Sequence, residues 1–113
     1  VAASGMIEVP DDSFDQLKAL YLQALAIDPA DIETNFNLGL LYLQFNQDMD
    51  EALQVFEKCV AKDLDAEARD LFRAQFAKAY FNIGMIHDKN GRSQEAADNY
   101  KLSMETCEGD PRN

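Results

Sequence analysis

Asn35 to Phe56, NFNLGLLYLQFNQDMDEALQVF, decides how this chain is read, because its pattern returns at Tyr80 to Tyr100 as YFNIGMIHDKNGRSQEAADNY. Phe36, Asn37 and Gly39 recur as Phe81, Asn82 and Gly84. Glu51 and Ala52 recur as Glu95 and Ala96, and Phe56 as Tyr100. Self-similarity of this kind is the mark of a repeat architecture, in which each unit buries its apolar face against its neighbours.

Working outward, the apolar spacing predicts five helices and no strand. Pro10, Asp11, Asp12 and Ser13 make a helix start, with Ser13 as cap and Gln16 completing a capping box. The first helix then runs from about Ser13 to Ile27, with Leu17, Leu20, Tyr21, Ala24 and Leu25 on one face. Asp28-Pro29 stops it, since proline disfavours helix in the residue before it. Asp31 caps a second helix to Phe45 that is apolar over most of its circumference, as a helix with several neighbours must be. Gly39 sits inside it at a cost of about 1 kcal/mol against alanine, which close approach of another helix would offset. Ala52 is the small residue expected to meet it. A third helix spans Met49 to Lys62, with Leu53, Phe56, Cys59 and Val60 inward. The fourth runs from Ala66 to Asn90 and ends at Asn90-Gly91. Ser93 caps the fifth, which reaches Glu108 with Ala96, Ala97, Tyr100 and Met104 inward.

The 113 residues suffice for one compact domain or a few stacked repeats. A net charge of −11, from 21 acidic and 10 basic residues, argues against nucleic acid or an anionic membrane surface as partner, because both need a basic face. No apolar run approaches a membrane span, and Val1 to Val9 lack the pattern of a secretory signal. The chain opens on Val1 rather than methionine and reads as an excerpt or a processed product. Cys59 and Cys107 are isolated in sequence and are expected to be free thiols in a reducing, cytoplasmic setting.

Asp28-Pro29, Asn37-Leu38-Gly39, Tyr42, Glu51-Ala52 and Phe56 together resemble the tetratricopeptide repeat, a helix-turn-helix unit of about 34 residues. Ala52, Phe56 and Cys59 fill the family's second-helix positions. Ala96, Tyr100 and Ser103 fill them again, and Leu17, Tyr21 and Ala24 fill them in an opening half-repeat. Leu17 departs from the usual alanine, Leu64 from the closing proline and His87 from the tyrosine. The step from Phe56 to Tyr100 is also longer than that from Tyr21 to Phe56. The excess lies between Lys62 and Lys78 and is helix-prone, so it should lengthen the fourth helix by about two or three turns. The resemblance implies an all-α fold, antiparallel helix pairs stacked as a right-handed α-solenoid. Residues 13–30 would form a half-repeat, 31–64 a repeat and 65–108 an extended repeat, between flexible segments 1–12 and 109–113.

In that family the first helices of successive repeats line a concave groove that holds peptides. Carried over, Phe36, Asn37, Leu40, Lys78, Phe81, Asn82 and Met85 would form a groove for a protein or peptide partner. Phe36, Leu40, Phe81 and Met85 suit an amphipathic helix or an extended apolar segment, with Asn37 and Asn82 on the peptide backbone. The same four apolar residues can equally be helix-on-helix packing. Chaperone-binding members clamp a C-terminal carboxylate with lysines and an arginine. Only Asn37 and Lys78 match here, and Asn82 replaces the arginine. The family reading is non-catalytic and needs neither cofactor nor metal. Asn46, Asp48, Asp50 and Glu57 mimic a calcium loop, but Glu51 stands where that loop needs glycine. His87, the only histidine, has no neighbouring ligand or triad partner in sequence. A second expectation is structural. Without a preceding helix, Leu17, Leu20, Tyr21 and Leu25 would be partly exposed, and the chain would act as a spacer or self-associate.

Overall fold

The computed structural model describes residues 11–45, 48–61 and 63–108. Among these there are five α-helices and no strand: α1 (Asp11–Ile27), α2 (Ile32–Gln44), α3 (Met49–Ala61), α4 (Ala66–Lys89) and α5 (Ser93–Glu108). Each helix packs on the next in sequence, and α2 also meets α4. The result is an all-α helical repeat, in which α2–α3 and α4–α5 are the two helix pairs and α1 is a lone leading helix. The segments 1–10 and 109–113, and Asn46 of the calcium-like pattern, lie outside the described residues.

The helix ends follow local chemistry. The Asp31 carboxylate accepts from the Thr34 backbone N–H at 3.0 Å, and the Asp65 carboxylate from that of Ala68 at 2.8 Å. Asp48 accepts from the N–H groups of Asp50 and Glu51, which opens α3. Gly91 adopts φ 77°, and Arg92 N–H reaches the His87 carbonyl while Gly91 N–H reaches that of Asp88. This pair of bonds closes α4 as a Schellman turn. Two expected caps are corrected. α1 already includes Asp11, so Ser13 lies inside the helix rather than at its cap, and α5 already includes Ser93 as its first residue. Arg92 stands at the cap position because only the three residues Asn90-Gly91-Arg92 join the helices, and the first two close α4.

The core is a chain of aromatic contacts that repeats with the sequence. Phe36 meets Phe56 edge-on at 5.9 Å, and their counterparts Phe81 and Tyr100 meet at 5.4 Å. Phe56, Leu38, Ile83 and Ile86 are fully buried. A Cβ on Gly39 would lie 2.6 Å from the Phe56 ring, and one on Gly84 would lie 2.8 Å from that of Tyr100. The glycines therefore exist to seat an aromatic ring of the paired helix. This corrects the expectation that Ala52 is the residue facing Gly39. Asn35, fully buried, donates from its side chain to the carbonyls of Pro29 and Asp31 and so ties the α1–α2 turn to α2.

The 24 residues of α4 exceed the 13 of α2 by about three turns, as the helix-prone excess predicts. α1 packs on α2 alone. Phe14 is its one buried side chain among those described, held against Tyr42 at 5.9 Å and Phe45 at 5.4 Å, with the Lys18 ammonium over the Phe14 and Tyr42 rings.

Candidate interaction surface

A groove of about 480 Å³ runs between α2, α4 and α5, lined by Phe36, Leu40, Ala77, Lys78, Phe81, Asn82, Ser103 and Cys107. Five of the seven residues expected from sequence are thus brought together. Asn37 is exposed and Met85 half-buried, and neither lines the recess. The four apolar residues divide between the two readings. Phe36 is 7% exposed and packs into the core, whereas Leu40 is 39% and Phe81 52% exposed. Phe36 and Phe81 hold equivalent places, but only Phe36 is covered, because no further helix pair stacks on α4–α5 among the described residues.

Ser103 and Cys107 were not expected there. The Ser103 hydroxyl donates to the Ala77 carbonyl at 2.6 Å, which draws the second half of α5 to the groove's edge. Mapping only first helices onto the groove misses this, since the approach of α5 is a tertiary contact. Lys78 is the only charged side chain among the described lining residues, so the floor is apolar with one cation and one amide at its rim.

The remaining candidates are accounted for structurally. Cys59 is fully buried and burial pushes its thiol up to about 11, leaving it protonated and unreactive. Cys59 and Cys107 are not disulfide-bonded. The His87 Nδ1 accepts from Arg92 Nε at 2.7 Å, so the imidazole braces the α4–α5 turn. No group of three or more potential metal ligands occurs among the described residues, and no helix among them is long and apolar enough to cross a membrane.

This geometry defines a stacked α-helical repeat protein with an open groove. Family models, each described as tetratricopeptide repeat, match residues 20–54 and 77–109, together more than half of the chain. The chain belongs to the tetratricopeptide-repeat proteins, and in that general sense it is a protein–protein interaction module. Among solved structures it is similar to one titled crystal structure of MamA, at a TM-score of 0.63 and 24% identity. That match covers 85% of this chain and 47% of the other, so the chain spans about half the length of the protein it resembles. It supports the fold alone. No curated protein matches the sequence.

Proposed function

We propose that the chain is a non-catalytic module that binds an apolar peptide or amphipathic helix of a partner protein in the groove between α2, α4 and α5. The observation that carries this reading is the exposure of Phe81 and Leu40 within one recess whose rim bears Lys78 and Asn82. Apolar side chains of a partner would cover Phe81 and Leu40, while Asn82 hydrogen-bonds its backbone. The net charge of −11 argues against nucleic acid as a partner, and two cysteines that form no disulfide suit a reducing, cytoplasmic setting. Peptides selected from a displayed helix library against the chain provide the test. Phe81→Ala and Asn82→Ala should each weaken the selected binders about tenfold with unchanged circular dichroism, since a hot-spot side chain is worth roughly that much. Unchanged affinity in both variants would refute the groove.

A second reading is favoured by α1. Leu17 is 38%, Leu20 60% and Ile27 88% exposed, and their spacing puts them along one side of α1, an apolar stripe that seeks cover. In this reading the chain is a spacer in a larger stack or associates with itself through α1. Sedimentation equilibrium over a wide concentration range should then show reversible mass increase that Leu20→Glu abolishes. A strictly monomeric wild type would dismiss self-association.

A further inference from the structure

The excess segment that lengthens α4 does more than extend a helix. Arg69, Arg73, Phe76 and Tyr80 follow spacings of four, three and four residues, so they share one face of α4. Lys78, Phe81 and Asn82 lie on the opposite face, toward the groove. The first set lines a separate recess of about 270 Å³, closed by Val60 of α3 and Thr106 of α5. α3 and α5 do not pack on each other, and the recess is the gap that α4 leaves between them.

We infer that this recess is a second binding site, specific for a carboxylate side chain of an acidic peptide segment, with the two arginines as its anion clamp. Three observations carry it. First, the chain has 10 basic residues against 21 acidic ones, yet two arginines one turn apart line the same small recess. Guanidinium is the group whose planar donor fork matches a carboxylate. Second, its back wall is apolar. Phe76 is buried, and Val60 and Tyr80 are half-buried, so an ion pair formed against them is less screened than one at an open surface. Third, the present partners of the arginines are exchangeable. Arg73 pairs with Asp70 one turn before it, and that carboxylate is 64% exposed. Arg69 stands 3.9 Å from Asp63, whose side chain is fully exposed, and its Nε donates to the Leu64 carbonyl. The Arg69–Asp63 pair is exposed at both ends and contributes little, so an incoming carboxylate displaces Asp63 at small cost; Arg73 is only 20% exposed, and there the incoming group must compete with Asp70.

The volume decides the ligand's size. It falls below the roughly 300–1,000 Å³ typical of cofactor and small-molecule pockets, and suits one acidic side chain with an apolar neighbour against Phe76 and Tyr80. The site lies on the far side of α4 from the groove, so both can be occupied together.

The test is an NMR titration of the whole chain with three probes: a capped pentapeptide holding two adjacent glutamates followed by phenylalanine, its glutamine counterpart, and inorganic phosphate. The glutamate peptide should shift the amide signals of Val60 and Thr106, and the glutamine peptide should not. Arg73→Gln should weaken binding about tenfold, as loss of a charge-assisted hydrogen bond requires. Arg69→Gln, at a well-exposed side chain, should do so without touching the fold. Asp70→Asn should tighten binding by removing the internal competitor, a gain that a merely structural arginine would not produce. Phe81→Ala should leave this affinity unchanged, which separates the site from the groove. Equal binding of the glutamine peptide, no gain in Asp70→Asn, or phosphate binding where the acidic peptide fails would each overturn the assignment.

Discussion

Gly39 shows at the scale of one residue how the fold is specified. Glycine inside a helix costs about 1 kcal/mol against alanine, so propensity alone favours Gly39→Ala. The structure reverses that sign. An added Cβ would sit 2.6 Å from the Phe56 ring, and Phe56 is fully buried between its neighbours and cannot swing away. Overpacking of this kind costs about 1–3 kcal/mol. Gly39→Ala should therefore lower the urea midpoint with an unchanged slope. Gly84→Ala should cost less, because Tyr100 is half-buried at the open end and its ring can turn, although the Ala96 carbonyl at 3.1 Å still resists. Equal stability of Gly39→Ala and wild type would show that the ring contact is not what the glycine serves. The sequence already marked both glycines, since each recurs with its aromatic partner. It pointed to Ala52 rather than Phe56 because a helical wheel gives a face and not the reach of a side chain.

At the scale of elements, the helices were legible because their period and their stops agree. Asp28-Pro29, Asp31 and Asn90-Gly91 act through backbone chemistry that needs no tertiary context, and α2 and α4 begin or end where those residues place them. Ser13 and Ser93 were less informative. A cap depends on the φ and ψ that the chain adopts there: Ser13 lies within α1, and Arg92 takes the cap position of α5. The groove was legible only as far as the repeat carries it. Phe36, Leu40, Lys78, Phe81 and Asn82 share a recess because first helices lie side by side. Ser103 joins it through a hydrogen bond to Ala77, across two helices, and brings Cys107 one turn further along α5 with it, which spacing along one helix cannot show. The recess of Arg69 and Arg73 was hidden for a related reason. The segment between Lys62 and Lys78 announces a longer helix, but its second face acquires meaning only when α3 and α5 stand apart on either side of it.

The whole molecule is a one-dimensional stack, so its stability is a sum of neighbour interfaces and is lowest where a helix has one neighbour. Among the described helices α1 and α5 are the two such, and they differ. α5 is joined to α4 by a three-residue turn, the Schellman bonds and the Ser103–Ala77 hydrogen bond. α1 has Phe14 buried, Tyr21 and Leu25 packed partly against the core, and Lys18 over two rings. Its amides should exchange with solvent through local opening, well before those of α2 and α3. Phe14→Ala tests how firmly α1 is docked. Truncating a buried phenylalanine usually costs about 3–5 kcal/mol. Here the loss cannot exceed the free energy that docks α1, because past that point the helix simply detaches. The variant should lose helical signal equivalent to the 17 residues of α1, keep a cooperative transition for α2–α5, and lose protection from hydrogen exchange in α1 alone. Global unfolding of Phe14→Ala, with α2 and α3 exchanging as fast as α1, would show instead that the stack is one cooperative unit and that α1 is part of its nucleus.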